Sequence, residues 1–252
     1  PARERGKALL KIADALEAEK ADFARLYSIE TGNAIATQSR GEAMLTADLI
    51  RYFGGVASEI KGEVIPLGEQ LFSYTRREPL GVVGGIVPWN APLALSALKI
   101  AMALTPGNTL VLKPSVEAPL TAVKLVELCN RFLPKGVLNV VTGTGSECGQ
   151  ALIDHPKVAK LSFTGSTEVG RIVMRAGAER IVPVSLELGG KSPQIVFPDA
   201  NDDATVASVI NGMRFVRQGQ SCTAGSRLFL HASIFDAFLE KLVAKLKTFK
   251  IG

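Results

Sequence analysis

From residue 81 onward the chain alternates short apolar runs with stretches whose apolar positions recur every three or four residues. The apolar runs cover 81–87, 109–113, 137–141, 158–163 and 181–186, and the helical stretches fall between them at about 93–104, 120–132, 148–154 and 168–178. Continuous apolar strands alternating with helices predict an α/β fold, a parallel sheet with helices on both faces. Ligands of such sheets bind outside the carboxyl ends of the strands. The first eighty residues read differently. Leu9, Ile12, Leu16, Phe23, Leu26 and Ile29 predict one amphipathic helix over 2–30, closed by Gly32. A second helix is expected over 42–60, carrying Met44, Leu45, Leu49, Tyr52 and Phe53. Alternation over 64–67 and 71–77, interrupted by Gly68 and Glu69, predicts an antiparallel ribbon within about 62–79. After Gly190 the pattern predicts a strand at 194–197, a helix at 202–217, a loop, a strand ending at His231 and a helix ending near Lys247. The glycine pair Gly189 and Gly190 marks the expected boundary between a first domain, 1–188, and the start of a second α/β domain, 189–252.

Composition narrows the class. At 252 residues and 47% hydrophobic the chain can bury a large core. Its formal charge of +5 comes from 29 basic and 24 acidic residues dispersed along the sequence, which argues against a nucleic-acid surface. No stretch is long and apolar enough to cross a bilayer, and the amino terminus lacks the order of a signal peptide. Three unevenly spaced cysteines and two histidines form neither a disulfide framework nor a metal-ligand spacing, so no metal is expected and a reducing cytoplasm is. The chain opens at Pro1 and ends at Gly252 just past a helical pattern, as a piece of something longer would.

Within this frame a few residues could carry chemistry. Cys222 lies in RQGQSCTAGSR, where Gly219, Ala224 and Gly225 leave room for a substrate carbon to reach a thiolate. The plainer reading is a buried cysteine acting as a small hydrophobe, which is how Cys129, on an apolar helical face, is read. Cys148, at a helix start, stays ambiguous. Asn90 ends the first sheet strand, where its amide either stabilises an oxyanion or caps the next helix. Lys113 and Ser115 follow the second strand and suit a ribose or phosphate. FTGSTEVG, from Phe163 through Gly165 and Ser166, offers exposed N–H groups at a helix start, as an anion site or a plain cap. Neither the GxGxxG fingerprint nor a Walker loop occurs. Glu187, at the fifth strand's end, is either a general base or the partner of Lys191 or Arg180. The agreement of Asn90, Lys113, Gly165 and Glu187 in falling at strand ends is what gives them weight.

VPWNAP, LKPS, FTGSTEVG, LELGGKSP and GQSC, in this order, closely resemble the aldehyde dehydrogenase superfamily, non-acylating type. The pairing of LELGGK with GQSC about thirty-five residues later is the most specific part. The resemblance implies oxidation of an aldehyde to a carboxylic acid with NAD or NADP. Cys222 attacks the aldehyde, Asn90 and the Cys222 N–H hold the oxyanion, hydride passes to the nicotinamide, and Glu187 activates the water that hydrolyses the thioester. It implies cofactor contacts at Ile86, Val87, Trp89, Lys113, Ser115, Val116, Gly145, Gly149, Phe163, Gly165, Ser166, Leu188 and Gly189. The ribbon corresponds to the family's oligomerisation element, so a homodimer or homotetramer is expected at full length. A CoA-acylating relative and a catalytically silent nucleotide-binding piece are the alternatives; Glu187 argues against the first and Cys222 against the second.

Two departures from the family pattern matter. Many NAD-using members carry a glutamate where Val116 stands; without that carboxylate, NADP is expected to be accepted at least as well as NAD. The family also extends beyond both ends of this chain. Ala91, Ala94, Leu95 and Leu98 correspond to the substrate channel, are apolar, and imply an uncharged aliphatic or aromatic aldehyde.

Overall fold

The computed structural model describes residues 1–250. The chain divides into two compact units between Glu187 and Leu188.

In the first unit the expected long helix is two, α1 (Ala2–Ala18) and α2 (Lys20–Thr31). The break is Glu19, whose φ of −96° and ψ of 12° leave the helical range. Leu16 and Phe23 are seven residues apart, so the apolar repeat runs through the break without marking it. Both side chains are fully buried, whereas Ile29, expected on the same face, is exposed and Tyr27 is buried instead. Gly32 closes α2 with a positive φ of 74°.

Helix α3 (Arg40–Gly55) ends five residues before the expected point. Its buried face is made of Ala43, Thr46, Ala47, Ile50 and Gly54, while Leu45 and Tyr52 point to solvent. Small residues win this face because α1 crosses close by: a Cβ on Gly6 would stand 2.6 Å from the Gly54 carbonyl oxygen. Strands β1 (Val64–Pro66) and β2 (Phe72–Tyr74) pair antiparallel, the expected ribbon in shortened form.

The sheet comprises β3 (Val82–Ile86), β4 (Thr109–Lys113), β5 (Leu138–Val140), β6 (Val158–Gly165) and β7 (Val184–Leu188) in the order β5-β4-β3-β6-β7. Strand β3 pairs parallel with β4 on one side and β6 on the other. Helices α4 (Pro92–Leu104), α5 (Leu120–Asn130), α6 (Gln150–Asp154) and α7 (Thr167–Arg180) connect the strands. The two glycines at the centre of β3 show the layering. A Cβ on Gly85 would meet Lys99 of α4, and one on Gly84 would meet Leu152 of α6. Helices therefore cover both faces, as expected of a parallel sheet. The main core lies between α1–α5 and β3–β5.

In the second unit β8 (Pro193–Val196) pairs parallel with β9 (Arg227–Leu230). Helices α8 (Asp203–Gly212) and α9 (Phe235–Leu246) pack Val206, Val209, Ile210 and Phe238 against Val196. Helix α8 stops five residues short of the expected Arg217, because Arg214 turns to a φ of 61° and a tighter turn follows over Phe215–Arg217. Among the described residues no helix is long and apolar enough to cross a membrane, and no cluster of acidic, histidine and cysteine side chains could hold a metal ion.

Ionisable side chains are folded into the first unit, among them Glu42, Lys113 and Lys99. Lys99 on α4 is 9% exposed, and its Nζ donates to Ser162 Oγ at 2.9 Å. Burial lowers its pKa to about 8, an effect that the Glu187 carboxylate partly offsets. Below pH 8 the native and unfolded lysines are both charged and the folded state bears the whole burial cost. Between about 8 and the ordinary value of 10.5 the native lysine loses its proton first, so its cost is relieved as pH rises. Stability is therefore expected to rise across this window by up to about 3 kcal/mol from this group. Urea unfolding of the full-length protein at pH 7 and pH 10 should show an increment that Lys99→Met lacks; an equal pH dependence in both proteins would contradict this.

Candidate active site

Three strand ends of the first unit meet at one cleft. Parallel pairing sets Ile86 level with Lys113 on one side and with Phe163 on the other. The chain continues from these three points into 87–89, 115–117 and 164–166. With Gly145, Ser146 and Gly149 and with Val169 and Ile172 of α7, they enclose a hollow of about 660 Å³. Every sequence-predicted cofactor residue of the first unit lines it: Ile86, Val87, Trp89, Lys113, Ser115, Val116, Gly145, Gly149, Phe163, Gly165 and Ser166. Leu188 and Gly189 belong to the second unit.

The local chemistry of this cleft follows from its elements. Ser166 caps α7, its Oγ accepting from the Val169 N–H at 3.3 Å. The capping reading of this residue is thus realised. It does not spend the Thr167 and Glu168 N–H groups, which have no intrahelical acceptor and open on the positive end of the helix dipole. A wide, π-helical turn over Gly145–Gly149, capped by Thr144, precedes α6, so the α-helix expected from Cys148 begins at Gln150. Trp89 is half-exposed and supplies an aromatic wall. Lys113 is only 5% exposed, and its Nζ donates to the Pro114 carbonyl at 3.0 Å. Burial pulls its pKa down. The expected freely presented ammonium is therefore a withdrawn one.

A carboxylate absent from the sequence-predicted set also lines the cleft. Glu117, one residue past Val116, accepts a hydrogen bond from Ser115 Oγ. That bond first, and the nearby Lys113 ammonium more weakly, lower its pKa. The expectation that no carboxylate stands at this end of the cleft is corrected.

The remaining predicted residues lie elsewhere. Helix α4 starts from Ala91, with Pro92 in its first turn, so capping is not the use of the Asn90 side chain. The Asn90 carbonyl accepts from Tyr27 Oη at 3.2 Å, fixing the loop to α2. Glu187 is exposed and lines a second hollow of about 450 Å³, with Leu95, Leu98, Lys99, Met102, Lys160, Ser162 and Ser185. Alternate residues of β6 and β7 share this face, which is why Ser185 and Glu187 appear together. Arg180, a conceivable partner, donates instead to the Val158 carbonyl at 3.0 Å. Lys160 donates to Ser185 Oγ at 2.8 Å, so both amines of the hollow are held by serine hydroxyls.

In the second unit Cys222 is exposed in a turn between Ser221 and Thr223, whose hydroxyls bond each other at 3.0 Å. The loop is anchored at its base: Gln194 Nε2 donates to the Gly225 carbonyl at 2.8 Å, and the Gly225 N–H to the Gly212 carbonyl at 2.9 Å. Cys129 is fully buried, and burial pushes its thiol up to about 12, which suits a core residue. Cys148 is half-buried.

Sequence reasoning missed Lys99, Glu117 and Gln194. A single lysine in the otherwise apolar run LALSALKIAMAL was a legible signal for the first. Nothing local pointed to the others. A further hollow, about 850 Å³, lies at the amino ends of β4 and β5. Three of its cations are engaged, Lys7 with Glu4, Arg131 with Glu19 and Arg5 with the Thr105 carbonyl.

Comparison with known proteins gives one consistent answer. The aldehyde dehydrogenase family pattern matches residues 1–252. An aldehyde dehydrogenase of Enchytraeus buchholzi is 43% identical over 100% of this chain and 51% of its own length. A phenylacetaldehyde dehydrogenase of Pseudomonas fluorescens is 44% identical, again over 100% of this chain and 51% of its own. The crystal structure of PnpE in complex with nicotinamide adenine dinucleotide superposes with a TM-score of 0.96 at 47% identity, covering 100% of this chain and 52% of that one. The chain thus spans about half the length of the curated relatives it matches. With the motifs matched end to end and the strand-end cleft in the same chain, the protein belongs to the aldehyde dehydrogenase family.

Proposed function

We propose that the protein containing this chain oxidises an aldehyde to a carboxylic acid with NAD or NADP, through a thioester on Cys222. The observation that carries this reading is the convergence of Trp89, Lys113, Ser115, Gly165 and Ser166 on one cleft at the carboxyl ends of the sheet strands. Its chemistry suits a dinucleotide: N–H groups at a helix start for a pyrophosphate, polar side chains for a ribose and an indole wall for a flat ring. The similar PnpE structure is a complex with nicotinamide adenine dinucleotide. By this reading the first unit is the dinucleotide-binding domain, with Leu188 and Gly189 as further cofactor contacts, and the second is the start of the catalytic domain.

The residues divide the work. The Cys222 thiolate attacks the carbonyl carbon, forming the S–C bond as the π electrons move to oxygen. The Asn90 carboxamide and the Cys222 backbone N–H donate to that oxyanion. When bound, NAD or NADP supplies the hydride acceptor that the oxidation requires. Glu187 then takes a proton from water as its oxygen attacks the thioester; the C–S bond breaks, the acid leaves, and the thiolate is restored. Lys99 lines the same hollow as Glu187. A carboxylate at this position favours hydrolysis over transfer to coenzyme A. The exposed apolar side chains of the ribbon, Val64, Leu71 and Phe72, would be covered in a homodimer or homotetramer, and a cytoplasmic setting suits the free thiols.

Two outcomes follow for the full-length protein. With an aldehyde and either cofactor, Cys222→Ala should abolish formation of reduced cofactor. Glu187→Gln should release about one equivalent in a burst and then turn over at least about a hundredfold more slowly than the parent. Steady turnover by the cysteine variant would contradict the mechanism. Leu95, Leu98 and Met102 wall the hollow beside Glu187, and its amines are engaged by serines. Benzaldehyde or hexanal should therefore exceed succinate semialdehyde in kcat/KM by about tenfold or more, because the apolar wall of Leu95, Leu98 and Met102 would desolvate a second carboxylate. The reverse order would refute the apolar substrate class.

A further inference from the structure

We infer that the Lys99 amine condenses reversibly with an aldehyde in the hollow beside Glu187, forming an imine; this rests on the entry of an aldehyde there, as proposed above, and needs neither the cofactor nor Cys222. Lys99 is the one charged residue in the α4 sequence PLALSALKIAMAL. Its stem lies against β3, where a Cβ on Gly85 would stand 3.4 Å from Lys99 Cδ. Its Nζ reaches β6 and donates to Ser162 Oγ at 2.9 Å, a neutral partner. Burial favours the uncharged amine and brings its pKa to about 8, while Glu187 of β7 acts to raise it and Lys160 of β6 to lower it. An uncharged amine that spends one N–H on Ser162 keeps its lone pair for a carbonyl carbon.

The hollow supplies what the condensation requires. Leu95, Leu98 and Met102 offer a wall for the apolar end of the aldehyde, and Lys99, Ser162 and Glu187 line the same space of about 450 Å³. The amine nitrogen forms a bond to the carbonyl carbon as the π electrons move to oxygen, and that oxygen takes one amine proton to give a carbinolamine. The nitrogen lone pair then forms the C=N bond, the C–O bond breaks, and the hydroxyl leaves as water with the second amine proton. Both protons thus pass from nitrogen to oxygen, and the Glu187 carboxylate is the group of the hollow that carries them. No oxidant or reductant is consumed. The other amine of the hollow, Lys160, is only half-buried and donates to Ser185 Oγ. The deeper amine is therefore the nucleophile.

The test is reductive trapping of the full-length protein with hexanal and sodium cyanoborohydride, without NAD or NADP, read by peptide mass mapping. The reductant turns an imine into a stable secondary amine and leaves a thiohemiacetal unmarked. At pH 7 Lys99 should be alkylated at least about tenfold faster than the exposed Lys11 and Lys61, because far more of it is uncharged than of an ordinary lysine. By pH 10 that lead should shrink by at least about tenfold, as ordinary lysines lose their protons too. Cys222→Ala should keep the same preference. Trapping of Lys99 no faster than of Lys11 and Lys61, a lead that does not change with pH, or a preference for Lys160 overturns the inference. Aldehyde turnover with NAD or NADP but no Lys99 adduct overturns it alone, whereas the adduct without turnover upholds it and contradicts the proposed function. Neither adduct nor turnover contradicts both.

Discussion

The arrangement depends on one constraint, the parallel pairing of β3 between β4 and β6. Because the three strands run the same way, Ile86, Lys113 and Phe163 end level with one another although they are far apart in sequence. The loops that follow are then neighbours without needing contacts of their own to bring them together. The register is strongly fixed. A slip of one residue would turn Leu110, Leu112 and Leu161, all essentially fully buried, toward the wrong layer. Each such side chain stabilises the fold by about 1.5–3 kcal/mol. The glycines at the centre of β3 let α4 and α6 approach from opposite faces, so the edge carrying the chemistry stays open while the middle is sealed.

On this frame the charges are sorted by depth. The amines Lys99 and Lys113 are drawn into the protein, where burial lowers the pKa of each, while the carboxylates Glu117 and Glu187 remain exposed. Each hollow thus pairs a withdrawn cation with an accessible anion. Lys113 and Glu187 were both picked out by their position at strand ends, but the sheet puts them in different hollows, because neighbouring residues of a strand face opposite sides.

Much of this was legible in the residues. Alternating strand and helix patterns gave the parallel sheet, and the motifs after its strands gave residues that line one cleft. The errors share a cause, since local periodicity records which residues are apolar and not what they meet. The repeat in the first thirty residues continues through Glu19, so two helices read as one. The bulky residues of α3 marked the wrong face, because its close crossing with α1 at Gly6 selects alanine and glycine. The early end of α8 rests on backbone turns at Arg214 and Gln218, two residue types that seldom take a positive φ and so give no warning. Glu117 was overlooked because the family pattern directs attention to position 116, while the turn carries the neighbouring side chain into the cleft.

The central claim is that the strand-end cleft holds the cofactor. The most direct measurement is a crystal structure of the full-length protein grown with NAD. The account predicts the pyrophosphate against the first turn of α7 at Ser166 and the adenosine ribose beside Lys113 and Ser115. A dinucleotide seated anywhere else, as in the larger hollow beside Arg5 and Arg131, would contradict it.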